Sequence, residues 1–334
     1  MAENAVKKAE ISPKQRKKQQ MEKMTREERS YLRRKSISDK AVPFFRACIL
    51  IGLGFVILYP LIYMVSCAFR ERGDMNDPTV VWIPRHFTLD IIRETIDAMD
   101  FWHTLGNTLI LNIGCSLVQV LSCAVTGYGF ARFSFRGKKI MFGIVIMMIL
   151  VPTQVIALPL YSEFRFFGIK GLFTVNLIDT GLTMYLPALT ANGIRSGLMI
   201  LIFRQFFRGL PKELEDAAYI DGCGPFMTFV RVMMPNAAAA FLTVFLFSVV
   251  WYWNDYYVSN TFFTDSRTIA LMLTNLESEL NIRLFNDPNV QINPREQIVW
   301  KEAGCLICIT PLLVMYLFMQ KHFTEGIERS GLVG

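Results

Sequence analysis

Five charged side chains, Lys212, Glu213, Glu215, Asp216 and Asp221, fall within the stretch LPKELEDAAYIDGCG, Leu210 to Gly224, in a chain that is otherwise apolar on both sides of it. The chemistry open to them is ionic docking rather than bond making. Pro211 suits a first helical position, where its missing N–H costs nothing, and Gly222 suits the left-handed position just past a helix end, so a helix of about three turns is expected between them. Glu213, Glu215 and Asp216 would then complement the positive end of the helix dipole. Leu214, Ala217, Ala218 and Asp221 fall at i, i+3, i+4 and i+7, a face small enough in its middle for another surface to approach. Beyond the turn, Pro225 opens a second helix whose Phe226, Phe229, Val230 and Met233 share a stripe, and Pro235 leads into the next apolar run. Physics alone reads the pair either as a projecting knob or as a well-capped connector.

Arg195 is the other unusual charge. It stands nine residues before Arg204 within an apolar run, which at about 1.5 Å per residue puts it about 13 Å from that end. An intramembrane cation is a functional candidate. It could line a cavity and bind the hydroxyl or carboxylate of a solute, or pair with helix carbonyls or an acid where Asn192 and Gly193 loosen the helix. Trp251, Tyr252, Trp253 and Asn254 close the following run. Aromatic faces stack on the apolar faces of ring-shaped solutes and an amide bonds hydroxyls, but such residues also collect at membrane interfaces, which makes Trp253 and Asn254 candidates for a substrate pathway rather than assignments.

Other chemistries find no support. Cys305 and Cys308 form a C-x-x-C on an uncharged helix without partner ligands, and six of the seven cysteines lie in or beside apolar runs, so packing explains them better than metal or disulfides. His86, His103 and His322 are scattered, so no metal site is expected. No cluster of nucleophile, acid and base emerges, hence no catalytic residues are expected and the chain is not read as an enzyme. The absence of G-x-x-x-x-G-K-[ST] means that no ATP or other cofactor is expected on this chain itself.

These residues must be positioned by membrane helices. Hydrophobic residues make up 52% of the chain, above the roughly 45–50% of soluble domains. Six runs approach the roughly 20 residues needed to cross a bilayer: Ala47 to Phe69, Thr104 to Phe130, Ile140 to Tyr161, Met184 to Phe203, Asn236 to Trp253 and Ala303 to Met319. The first forty residues hold 13 Lys/Arg against 6 Asp/Glu, which accounts for the whole net charge of +7. That tail lacks aromatic interleaving for base stacking, so nucleic acid is not expected as a partner. It reads as a cytoplasmic segment held to anionic membrane lipids, too long and charged for the n-region of a cleaved signal peptide, with the first span kept as an anchor. Arg132, Arg136, Lys138 and Lys139, with no acid among them, put the second connection inside as well. The acids of the first connection, Glu71, Asp74, Asp77, Asp90, Glu94, Asp97 and Asp100, suit the outside. Both termini are therefore expected in the cytoplasm, with Leu210 to Gly224 on the same side.

The charged stretch resembles the EAA loop of binding-protein-dependent ABC importer permeases, whose pattern is E-A-A, three residues, G, nine residues, then I-x-L-P. This sequence has Asp216-Ala217-Ala218, Gly222 and Val232-Met233-Met234-Pro235 at that spacing, with Asp, Val and Met as conservative departures. Glu215, just before Asp216, could supply the longer carboxylate. The stretches FWHTLGNTLILNIGCSLVQVLSCAVTGYGFARFSFRGKK, VPTQVIALPLY, LIFRQFFRGLP and WYWNDYYV, with the ending QKHFTEGIERSGLVG, are similar to sugar-importing permeases of the maltose (MalG) type. Residues 1–40 and much of 264–300 fall outside the likeness.

The resemblance implies an all-α integral membrane fold with six transmembrane helices and a type I ABC importer (MetI-like) core. It divides the chain into a basic cytoplasmic tail (1–43), a first transmembrane helix (44–70), an extracellular loop (71–103), the permease domain (104–320) with its coupling helix at 211–222, and a cytoplasmic C-terminal tail (321–334). It implies that Glu215, Asp216, Ala217, Ala218, Asp221, Gly222 and Pro235 couple the chain to a separate ATPase subunit, where ATP and Mg would bind. The other implied partners are a second permease subunit in a heterodimer and an extracellular solute-binding protein. The implied function is import of a sugar or oligosaccharide by alternating access across a bacterial plasma membrane. A permease for polyamines, glycerol phosphate or another small solute is the alternative within the class. An ion-driven secondary transporter is disfavoured because Arg195 alone interrupts the spans.

Overall fold

A computed structural model describes residues 25–169, 172–265, 268–287, 290 and 292–331. The first 24 residues, most of the basic tail, lie outside the described residues, as do the last three of the C-terminal tail. The chain divides into two compact units, residues 1–62 and 63–334. From Arg26 on, the described part of the first unit belongs to helix α1 (Arg26–Ala68), which begins well before the expected first span; its stretch from Ala41 on is long and apolar enough to cross a membrane.

The second unit holds the rest. Helices α2 (Arg72–Met75) and α3 (Asp90–Ala98) lie in the first connection. They are followed by α4 (Phe101–Arg132), α5 (Lys138–Leu150), α6 (Thr153–Arg165), α7 (Leu182–Leu189), α8 (Ser196–Gly209), α9 (Glu213–Ile220) and α10 (Pro225–Thr228). A π-helix (Phe229–Met233) joins α10 to α11 (Met234–Asn236), and α12 (Ala238–Trp253), α13 (Tyr257–Phe262), α14 (Ile269–Phe285) and α15 (Pro294–Gly331) complete the chain. The expectation of a purely helical chain needs one small amendment. Strands β1 (Phe167–Ile169) and β2 (Phe173–Val175) pair antiparallel, with Phe167 opposite Val175.

The expected six straight spans are realised unevenly. Among the described residues, three helices are long and apolar enough to cross a membrane: the Ala41–Ala68 part of α1, α4, and the Pro294–Gln320 part of α15. The expected third span is the pair α5 and α6, bent by 105°, and the expected fifth span follows a bend of 81° between Pro225–Asn236 and Ala238–Trp253. Proline accompanies both: Pro152 stands at the first break and Pro235 two residues before the second, at Ala237, and each lacks the N–H that a helical ladder needs.

The expected fourth span, Met184 to Phe203, is corrected by the structure to two helices, α7 and α8, separated at residues 190–195. The sequence TANGIR cannot carry a helix through: Ala191 and Arg195 take left-handed backbone angles, φ 56° and 57°, a conformation that costs a non-glycine residue about 1–2 kcal/mol. Tertiary contacts impose it. Gln119 of α4 donates its amide to the carbonyl of Ile194 at 2.6 Å and accepts the Tyr252 hydroxyl of α12 at 2.5 Å. Gly193 sits so close beneath them that a Cβ there would overlap both the Gln119 oxygen and the Tyr252 hydroxyl. Gly193→Ala is therefore expected to destabilise the fold by about 1–3 kcal/mol through overpacking, read as a lower melting temperature of the purified protein; an unchanged melting temperature would show that this junction yields freely.

The core forms around α4. Asn112 donates to Val249 O at 2.9 Å and Ser122 to Ala188 O at 2.6 Å, bonds that tie polar side chains to neighbouring helices where no water competes. Gly127 lets α8 approach so closely that an added Cβ would lie 2.6 Å from the Cβ of Phe203. In the first connection, Asp74 accepts the backbone N–H groups of Arg85 and His86 at 2.8 and 3.0 Å. Burial pushes its carboxyl up, but those donors and the His86 ring outweigh burial and hold it below its ordinary value.

Candidate functional site

The charged helix α9 is shorter than expected: it begins at Glu213, so Pro211 precedes it rather than opening it. Its end is as expected. Gly222 has φ +80°, Cys223 N–H bonds Ala218 O at 2.9 Å and Gly222 N–H bonds Tyr219 O at 3.0 Å, which together form a Schellman stop. No atom lies within 4 Å of where a Gly222 Cβ would stand, so the glycine meets the backbone requirement rather than a steric one.

The expected stripes are rearranged. Glu215 and Ala218 are buried and Leu214 is half-buried, whereas Asp216, Ala217, Ile220, Asp221 and Gly222 are exposed. Leu214, Ala217, Ala218 and Asp221 thus do not act as one face. The stripe beyond the turn divides likewise: Phe229 and Met233 are buried, while Phe226 and Val230 are exposed. The π-helix over Phe229–Met233 changes the residue angle, which a pattern built on 3.6 residues per turn does not anticipate. Pro235 is exposed at the far end of this segment.

Glu215 faces into the chain. Its carboxylate accepts the Tyr128 hydroxyl at 2.7 Å and lies 3.4 Å from Arg132 Nε, with both members of the ion pair buried. Arg132 also donates to Leu210 O at 2.7 Å, just before α9. Tyr128 packs edge-on to Phe207 and tilted against Phe229, at ring centroid distances of 5.5 and 5.0 Å. The C-terminal end of α4 thus grips α9 at two points, and the acid left exposed at the signature position is Asp216. Tyr128 was not legible as a site residue, since its partner is 87 positions away; its spacing of four residues from Arg132, on one face of an apolar span, is the signal that could have found it.

The pathway candidates are not brought together. Arg195 is exposed and lines a cavity of about 430 Å³ with Asn192, Tyr252 and Asp255, among largely apolar walls from α5, α6 and α7. It has no acidic partner among the described residues. Asp255 accepts the amides of Val258 and Ser259 at 3.3 and 2.8 Å; burial raises its carboxyl above the ordinary value although those donors oppose the shift. Trp253 is buried and donates its indole N–H to Cys308 O at 3.2 Å. With exposed Asn254 it lines a different cavity, of about 400 Å³, against Cys305 and Cys308. A third, larger cavity of about 780 Å³ opens at the N-terminal end of α4, far from Glu215, and is lined by Asp100, His103, Asn107, Thr264, Asp265 and Glu279. Among the described residues, no group of three or more His, Cys, Asp or Glu could hold a metal ion.

Comparison with known proteins identifies the family. The profile of the family described as "Binding-protein-dependent transport system inner membrane component" matches residues 124–329, a range that contains α9 and both bent pairs. The chain is 26% identical over 291 residues to the arabinooligosaccharides transport system permease protein AraQ of Halalkalibacterium halodurans, covering 84% of this chain and 93% of the relative. It is 26% identical over 313 residues to the diacetylchitobiose uptake system permease protein DasC of Streptomyces coelicolor, covering 90% of this chain and 100% of the relative. Among solved structures, a chain of a bacterial ABC transporter involved in the import of the acidic polysaccharide alginate superposes with a TM-score of 0.68 at 18% identity, covering 86% of this chain and 98% of that one.

Proposed function

Because this chain belongs to the binding-protein-dependent transport system inner membrane components, we propose that it is the permease subunit of an ATP-driven importer of a sugar or oligosaccharide. The observation that carries the reading is α9: an exposed Asp216–Ala217 step and an exposed, left-handed Gly222 at the signature spacing, on a helix gripped from behind through Glu215. A separate ATPase subunit, which holds ATP and Mg, docks there, with Asp216, Ala217, Asp221 and Gly222 facing it and Ala218 and Pro235 shaping the mount. Closure of the ATPase pair moves α9, and α4 follows as part of the same rigid body, rocking this chain against a second permease subunit in a heterodimer.

In this reading both termini lie in the cytoplasm, the basic tail rests on anionic lipid and the first connection faces outward in a bacterial plasma membrane. An extracellular solute-binding protein delivers the cargo to the outer face. Arg195, Trp253 and Asn254 remain pathway candidates, with Asn254 the most accessible amide for a hydroxyl and Trp253 acting from its buried position. One observation favours a second cargo. The acids Asp100, Asp265 and Glu279 around the cavity of about 780 Å³ at the N-terminal end of α4 suit a polyamine better than an anionic sugar.

The test is binding-protein-stimulated ATP hydrolysis by the reconstituted complex. Stimulation by neutral oligosaccharides supports the first cargo and stimulation by polyamines the second. Uptake that persists after removal of the ATPase subunit refutes the importer reading altogether.

A further inference from the structure

Where α5 and α8 run side by side, four cations gather. The guanidinium carbon of Arg204 lies 4.0 Å from the centre of the Phe142 ring, and its Nε is buried without a hydrogen-bond partner. Gly197 of α8 meets Val145, Met148 and Ile149 of α5, so the two helices are antiparallel: Arg208, one turn beyond Arg204, comes level with Lys138 and Lys139, one turn before Phe142. Lys138 donates to Phe133 O at 2.7 Å, and Arg136 is exposed nearby in the connecting loop. No acid occurs in α5, in α8 or in the loop from Phe133 to Gly137. Glu215, the nearest acid engaged with this end of α4, is held by Arg132. Among the described residues, none of Arg204, Arg208, Lys138 or Lys139 has an acidic partner.

The surface beside the cluster is apolar and open. Ile140, Ile144 and Met147 follow it along α5 at i, i+4 and i+7, and all three are exposed. A cationic head beside an apolar track matches an amphiphile with an anionic headgroup. The aromatic contact turns one face of the Arg204 guanidinium onto Phe142 and leaves its outer N–H groups to fork a phosphate. We propose that Arg204, Arg208, Lys138 and Lys139 form a binding site for the phosphate of an anionic phospholipid, whose acyl chain lies along Ile140, Ile144 and Met147. Its assignment to the inner leaflet rests on the topology proposed above, whereas the binding itself does not. The bound headgroup would anchor the end of α8, from which the chain passes through Leu210 into α9.

Native mass spectrometry of the full chain in its purified complex, with phosphatidylglycerol or phosphatidylcholine added, tests the site. Preferential retention of phosphatidylglycerol is expected. At about one kcal/mol per basic residue, Lys139→Gln should lower that retention about fivefold and Arg204→Gln with Arg208→Gln about thirtyfold, while Arg204→Lys, which keeps the charge but loses the planar fork, falls between the wild type and that double variant. Equal retention of the two lipids, or variants that retain phosphatidylglycerol like the wild type, would overturn the proposal. So would displacement of the lipid by inorganic phosphate, which would mark a free-anion site, or a crosslink from Arg208→Cys to a neighbouring subunit in complexes without lipid. Labelling of Ser134→Cys, exposed in the same connecting loop but outside the site, from outside the cell with lipid retention unchanged would refute the topology alone.

Discussion

Gly222→Asp is expected to lower cargo-stimulated ATP hydrolysis and transport by about thirtyfold, the loss produced by removing roughly 2 kcal/mol at the centre of an interface, while the purified protein melts as before. Two properties separate these outcomes. The site has room, since nothing stands within 4 Å of an added Cβ, and Asp tolerates the left-handed angle better than most side chains, so the fold is spared. The new carboxylate, however, projects from the exposed side of α9 beside Asp221 and near Asp216, where the proposed ATPase surface must approach. Gly222→Asn separates charge from shape: it keeps the backbone tolerance and adds a neutral group of the same size, and is expected to lose several-fold less activity. Assembled Gly222→Asp complex that couples hydrolysis to transport normally would remove α9 from the ATPase interface.

The parts of this site legible in the sequence are those fixed by local rules. Gly222 was readable because a helix stop needs a left-handed residue, and the long apolar helices α4 and α15 because lipid leaves few alternatives. What the sequence hid depends on contacts between distant segments. Asn192 and Gly193 mark a weak point in the expected fourth span, but the full break at residues 190–195 involves Gln119 and Tyr252, which engage Ile194 and Gly193 from two other helices; the hydropathy of Met184 to Phe203 contains no trace of those contacts. The inward turn of Glu215 is similarly non-local. Four acids in α9 and its cap look equivalent on a helical wheel, and only the arrival of Tyr128 and Arg132 from α4 selects one of them for burial. The π-helix after Phe229 was also invisible, because apolar periodicity does not distinguish a widened turn from an ordinary one.

That selection of Glu215 leads to the second large effect. Glu215→Ala leaves Arg132 a buried cation facing an empty space, and removing one member of a buried pair costs about 3–5 kcal/mol. Glu215→Gln keeps an acceptor for the Tyr128 hydroxyl but loses the charge opposite Arg132, so its cost should fall between that of Glu215→Ala and the roughly 1 kcal/mol expected of Tyr128→Phe, which deletes one hydrogen bond. Melting temperatures should therefore fall in the order Tyr128→Phe, Glu215→Gln, Glu215→Ala, from smallest loss to greatest. Coupling should follow a different course. If Glu215 positions α9 against α4, even Glu215→Gln raises basal ATP hydrolysis relative to cargo-stimulated hydrolysis, because the partner's motion is no longer passed faithfully into α4. A residue that met the ATPase directly would instead weaken assembly of the complex while leaving the melting temperature of the isolated chain unchanged. Pairing Glu215→Ala with Arg132→Met distinguishes the two further: removing the orphaned cation should recover a large part of the lost stability, since apolar replacement of a buried pair is often neutral, but Leu210 O then also loses its Arg132 donor and coupling should remain impaired. Recovery of full coupling in that double variant would show that the grip of α4 on α9 serves stability alone.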